Sequence, residues 1–280
     1  MPSFETSGPL SATAHVEAGS IQFVAGDRLD TVVEVRPRDP KKDRDVRTAD
    51  QTEVTCASGV LTVRTPKSNP FGRTGTVDVT VELPTGSGVE VTGSWAQVLG
   101  TGRLGEVRVK TSSGDVRLDT TGPLTLTASH GSITVDRVEG TAEITTSSGS
   151  LRVGTVDGPA VLKNSHGTTT VGAATGELRV RGANGDIEIR RAEGSVTAVT
   201  AHGAVRVGEV ARGTVRLETS YGTIEVGIRE GTAAWLDAHS SSGQVRNMLT
   251  ASETPGKAED TVEVHARTRY GNIDILRAKA

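Results

Sequence analysis

The sequence predicts an all-β chain: a right-handed parallel β-solenoid with about 18 residues per rung, each rung made of two strands from a nine-residue half-repeat. Three observations predict it. Between residues 105 and 243 glycine recurs almost every nine residues, as at Gly131, Gly140, Gly149, Gly158, Gly167 and Gly176. After each glycine the second and fourth residues are mostly apolar, as in Ile133/Val135, Leu151/Val153, Leu178/Val180 and Ile187/Ile189. That period-two alternation marks short half-buried strands, and a short period sustained this long marks a solenoid. Third, only 2% of the 280 residues are aromatic while 34 are glycine. Val, Ile, Leu, Ala and Thr must then fill the interior, which suits thin, evenly spaced β-layers.

The true repeat is twice the glycine interval. Gly114, Gly131, Gly149, Gly167, Gly185, Gly203, Gly222 and Gly243 have a small residue two positions back, either serine (Ser147, Ser165) or alanine (Ala183, Ala201). The interleaved glycines follow Val138, Val156, Ala174 or Ala192 instead. Two kinds of corner therefore alternate, one strand per sheet between them. Because both serine and alanine occur there, the first corner demands smallness rather than a hydroxyl. An extra residue near Arg212 reads as a small corner bulge. Glu188, Arg206 and Glu225 share one outward phase, so the repeat makes them neighbours in an exposed ladder that keeps the sheet soluble.

The whole chain, 1–280, reads as a single elongated domain. Residues 1–104 form irregular strands that cap the stack, 105–249 the regular repeats, 250–261 a loop and 262–280 the C-terminal strands. Strand-like runs in the first part are 20–24, 31–35, 60–64, 76–83 and 88–91. Between them, "RPRDPKKDRDVRTADQ" is a charged insertion, loop with a short helix toward its end, and "TPKSNPFGRTG" is a Pro/Gly loop. The tail "RYGNIDIL" copies the serine-corner motif, which predicts that it completes the stack. Since a solenoid end exposes unpaired backbone, the N-terminal strands and the region of Trp235, read as a lid residue, are the expected caps.

The site reading begins with the residues just before the serine-corner glycines. They form a column of Ser113, His130, Ser148, His166, Asn184, His202, Tyr221 and Ser242. His130, His166, Asn184, His202 and Tyr221 are the candidate binding residues, on a turn edge that contacts a glycan or peptide. The simpler alternative is an exposed turn that tolerates Ser, Asn and His. The histidines recur every second rung, ~10 Å apart, too far to share a zinc bound at ~2.1 Å. The opposite edge carries Glu139, Asp157, Thr175, Glu193 and Glu230, and its turns lack the Asp array of calcium-binding β-rolls. No metal site and no cofactor is expected.

Other chemistry finds little support. Acidic and basic residues are interspersed around a net charge of −3, with no basic stripe, which speaks against nucleic acid. Cys56 stands alone, so it reads as an idle thiol. The start "MPSFETSGPLSATAHVEAGS" has neither a basic nor an apolar run, and no stretch reaches the ~20 apolar residues of a membrane span. The expectation is a cytoplasmic protein. Phosphate loops and zinc or serine hydrolase motifs are missing, and the carboxylates are scattered over outward columns, so no catalytic residue is assigned.

The opening "MPSFET", the stretch "DTVVEVRPRDPKK", the entry "TGRLGEVRVKTSSGDVRLD" and the closing "VEVHARTRYGNIDILR" resemble a bacterial family of β-strand-repeat proteins labelled putative adhesins, a domain of unknown function. The resemblance spans nearly the whole chain. It implies a β-solenoid, surface binding, and a context in cell-envelope stress for some relatives; it brings no catalytic residues. The leading expectation is thus a non-enzymatic scaffold or adhesin-like binder of a protein or envelope component. The second is a self-associating, filament-forming homo-oligomer, and the third a carbohydrate-active β-helix enzyme.

Overall fold

The computed structural model describes residues 2–66, 75–249 and 260–278. The chain forms two compact units, Met1–Glu139 and Gly140–Ala280. The first holds β1 (Ser3–Glu5), β2 (Ser11–Gly26), β3 (Asp30–Pro37), α1 (Asp43–Asp50), β4 (Glu53–Ala57), β5 (Val60–Arg64), β6 (Val77–Pro84), β7 (Gly88–Arg103), β8 (Val107–Ser113), β9 (Val116–Thr121), β10 (Leu124–His130) and β11 (Ile133–Val138). The second holds β12 (Ala142–Ser148), β13 (Leu151–Val156), β14 (Ala160–His166), β15 (Thr169–Ala174), β16 (Leu178–Asn184), β17 (Ile187–Ala192), β18 (Val196–His202), β19 (Val205–Val210), β20 (Gly213–Tyr221), β21 (Ile224–Ile228), β22 (Ala233–Ser242), β23 (Val245–Asn247), β24 (Thr261–Tyr270) and β25 (Ile273–Arg277).

From β12 to β19 each strand pairs in parallel with the strand two places on, and as far as β19 the register offset is the predicted eighteen residues: Leu162 faces Val180, and Ile187 faces Val205. Residues of one phase become vertical neighbours. Ala160, Leu178, Val196, Val215 and Val264 form such an inward column, all of them buried. Each buried Val or Leu contributes about 1.5–3 kcal/mol, so aliphatic columns suffice without aromatic filler. Ala192 faces Val210 while Val196 faces Val215, which places the added residue between 210 and 215, beside Arg212 as expected. Glu188, Arg206 and Glu225 also fall in register. The ion pair, however, runs from Arg206 to Asp186 at 3.3 Å.

The structure departs from the sequence reading at three places, for physical reasons. The tail does not complete the stack. β24 pairs with β20 on one side and with β22 on the other, and β25 lies likewise between β21 and β23. The last segment of the chain is the penultimate rung, and β22–β23 form the terminal one. Burial explains the order. Val262, Val264, Ala266, Ile273 and Ile275 are buried inward residues fit for an interior rung, whereas Val245 and Asn247 leave the β22–β23 rung half polar. Trp235 is no lid. It faces Glu263 on the outer side of the sheet, edge-on to His265 at 5.4 Å, while Ala234, Leu236 and Ala238 point inward.

The regular stack also begins before residue 105. β2 and β7 are 16-residue strands that run through a corner and pair in parallel along their length, Ala14 with Val91 and Ile21 with Val98. Alanine (Ala96) stands where the corner glycine would be, which hides this rung from a glycine count. The N-terminal strands also include antiparallel pairs: β1 with β3, β3 with β6, and β4 with β5. The charged insertion supplies α1, tied to the sheet by the Thr76 N–H donating to Asp45 Oδ1 at 3.0 Å. The expected loops at 65–75 and 250–261 fall mostly outside the described residues.

Candidate functional site

The two kinds of corner differ in how uniformly they set the backbone. In the second unit the serine-type corners at Gly149, Gly167, Gly185, Gly203, Gly222 and Gly271 take positive φ and Gly243 does not, whereas the other corner is mixed: Gly140, Gly213 and Gly231 take positive φ, and Gly158, Gly176 and Gly194 do not. Gly203 shows why only glycine fits. Its φ is +142°, and a Cβ would lie 2.2 Å from the carbonyl oxygen of Gly185 on the rung before.

The corner carbonyls of this column need donors, and an internal ladder supplies them. Asn164 Nδ2 donates to Gly149 O at 3.0 Å and to Gly167 O at 3.1 Å. Thr219 Oγ1 donates to Gly203 O at 3.0 Å, Thr268 Oγ1 to Gly222 O at 3.1 Å and Ser240 Oγ to Gly271 O at 2.8 Å. Such a bond adds ~1 kcal/mol, and an unmet buried carbonyl costs ~1–3 kcal/mol. This ladder was missed in the sequence. Its signal is a Thr, Asn or Ser three residues before the corner glycine, as in "NSHG", "TSYG" and "TRYG".

With the backbone so fixed, the residue before each glycine projects to solvent at a set height. In the first unit the column runs Trp95, Ser113, His130. In the second it runs Ser148, His166, Asn184, His202, Tyr221, Tyr270, Ser242. His166, Asn184, His202 and Tyr221 are thus brought together as the repeat predicts, and His130 stands in the first unit. The interposed rung alters the lower end, placing Tyr270 between Tyr221 and Ser242. His202 stacks on Tyr221 with ring centroids 5.0 Å apart and planes 2° from parallel; Tyr221 stacks on Tyr270 at 4.9 Å and 7°. Tyr221 and Tyr270 remain 50% and 54% exposed, and Trp95 is 70% exposed. Both tyrosines of the chain and one of its two tryptophans therefore stand open to solvent in this one phase of the repeat. Trp95 and Tyr270 were missed: the first precedes an alanine in place of glycine, and the second belongs to a rung out of sequence order.

Elsewhere, His265 on β24 lies between Glu263 at 3.0 Å and Asp237 at 3.3 Å, with Arg267 also 3.2 Å from Asp237. The hydrogen bond from His265 and then that from Arg267 hold the Asp237 carboxyl below its ordinary range. An open groove of about 680 Å³ crosses the sheet from β13 to β21, lined by Gly154, Gly172, Gly208, Arg190, Glu209 and Glu225. Arg229 engages Glu209 at 2.6 Å. Among the described residues no group of three or more His, Cys, Asp or Glu is placed to hold a metal ion, and no helix is long and apolar enough to cross a membrane.

A parallel β-solenoid with an exposed corner column defines the class. Within it, the chain belongs to the Toastrack DUF4097 family, a domain of unknown function whose pattern matches residues 15–276. No curated protein matches the chain. Among solved structures it is similar to a putative adhesin from Bacteroides fragilis NCTC 9343, with a TM-score of 0.40 and 13% identity over 98% of this chain and 95% of that one. It is also similar to a putative lipid binding protein from Parabacteroides distasonis ATCC 8503, with a TM-score of 0.42 and 12% identity over 99% and 96%. A putative adhesin from Parabacteroides merdae ATCC 43184 matches with a TM-score of 0.36 and 9% identity over 98% and 94%.

Proposed function

We propose that the chain is a non-enzymatic, adhesin-like scaffold that presents the corner column of its second unit to a cell-envelope component. The observation that carries this reading is the ladder of His202, Tyr221 and Tyr270, held outward on a backbone that glycine corners and buried hydroxyls fix. A purely structural turn needs a small polar residue; large rings left half open to water are the residue type that binding surfaces use. Preorganised rings also lose little side-chain freedom when a ligand arrives. The carboxylates of the groove favour binding over hydrolysis, because Glu209 is committed to Arg229. The test is co-sedimentation of the full chain with an envelope fraction of the source cell. Tyr221→Ala and His202→Ala are expected to release it without lowering the melting temperature by more than ~4 °C. Unchanged sedimentation of both variants would remove the column from the reading. Cell fractionation tests the cytoplasmic placement, which would have this contact made from the inner side of the envelope.

A second reading, self-association, is favoured by the open edge of β22 and β23, where Trp235, Val245 and Met248 are exposed. An open parallel edge accepts a further strand. Concentration-dependent growth in analytical ultracentrifugation supports it, and a constant monomer mass rejects it. We also propose that residues 1–280 unfold as one domain. Two separate calorimetric transitions would contradict that.

A further inference from the structure

We propose that the outer face of Tyr270 is a carbohydrate subsite, on which a pyranose ring stacks in the place that Ser242 leaves empty. The inference rests on the corner column being the binding edge, and it names the ligand class and the rung.

A ring ladder hides its own faces. Tyr221 is covered by His202 on one side and by Tyr270 on the other, so it presents mainly its edges outward. The lower face of Tyr270 is different. Its register partner on the terminal rung is Ser242, a short exposed side chain, and no ring stacks on that side among the described residues. The outer part of the ring therefore overhangs the serine, and beyond Ser242 the described stack ends. A flat group entering there continues the spacing of 4.9–5.0 Å that the three rings already keep.

The surroundings select the kind of flat group. The rim carries the hydroxyls and amides of Ser241, Ser242, Gln244 and Asn272, with Arg246 bonded to Gln244 and Arg269 next to Tyr270 in the chain. The Gln244 N–H donates to Asn272 Oδ1 at 3.0 Å, which holds the Asn272 amide at the edge of the notch with its NH2 directed away from that bond. Arg246 Nη2 donates to Gln244 Oε1 at 3.2 Å and orients the second amide. A pyranose matches this set. Its axial C–H groups are slightly positive and meet the negative face of the tyrosine ring, while its equatorial hydroxyls reach outward to amides and hydroxyls. A nucleotide would stack as well, but the guanidinium of Arg246, which could meet its phosphate, is engaged by Gln244 at 3.2 Å and by Asp274 at 3.8 Å.

The experiment is isothermal titration of the full chain with chitotetraose and, separately, cellotetraose, with adenosine monophosphate as the alternative flat ligand. Tyr270→Ala and Ser242→Tyr are tested beside the parent. Ser242→Tyr extends the ladder by one ring, so it should keep or raise the melting temperature while blocking the notch. Binding of either oligosaccharide, weakened about tenfold or more by both substitutions, is the expected result. Three results would overturn the proposal: no heat from either oligosaccharide at millimolar concentration, equal binding by Ser242→Tyr, or Tyr270-dependent binding of the nucleotide alone. The envelope sedimentation above separates the two levels. Loss of envelope binding in Tyr221→Ala with no oligosaccharide bound leaves the column standing and removes the sugar; no envelope binding by the parent removes the column itself.

Discussion

The two kinds of corner in the second unit use the same residue for different ends. At Gly203 a positive φ, a close backbone approach and a hydroxyl from Thr219 coincide. At Gly194 the φ is ordinary, and a Cβ would meet the carbonyl oxygen of Gly176 at 2.9 Å. The corner at Gly203 is determined three times over and that at Gly194 only once. Side chains stacked at one height and angle are found on the Gly203 edge, and the aromatic ladder is there. The backbone of a strict repeat is thus held more firmly at some corners than at others.

Substitutions should grade this contrast. Gly203→Ala is expected to have the largest effect, ~3 kcal/mol from backbone strain and contact together, or roughly 6–12 °C in melting temperature. Gly194→Ala should cost about half as much. Equal losses at both sites would abolish the distinction. Next comes Thr219→Val, which leaves the Gly203 carbonyl without its donor at ~1–2 kcal/mol, measured by denaturant unfolding. The same change should also loosen the ring stack, read as broader Tyr221 signals by NMR. Arg206→Ala should change stability by less than ~0.5 kcal/mol, because its partner Asp186 is half exposed.

Acid should act on the outer sheet face rather than on the corners. The folded-state carboxyl of Asp237 is held below its ordinary range, so its contribution is complete above pH ~4 and is lost as the pH falls through the lower folded value. Melting curves of Asp237→Asn and the parent should therefore differ at pH 6 and converge toward pH 2. A gap that persists in acid would mean that packing, not charge, joins Asp237 to His265.

The period, the parallel pairing and the corner column were legible because each is a matter of phase: Leu178 and Val196 must meet once the rung length is known. Tyr270 was not legible as a neighbour of Tyr221. Nothing in the local pattern tells a rung from 261 to 277 to lie inside one from 233 to 247; the decision rests on which of them buries its inward residues better. Trp95 was hidden by a single alanine. The hydroxyl ladder was visible in letters such as "TSYG", but its meaning depends on where the corner carbonyl points, and only the backbone shows that.

The interposed rung has a consequence for how the molecule is made. β22 and β23 leave the ribosome before the segment they rest on, so they wait without a docking surface until residues 261–277 arrive. A chain cut short before β24 would forfeit two turns of the coil instead of one, and the proofreading proteases of the cell would meet an unsheltered stretch of fifteen residues or so.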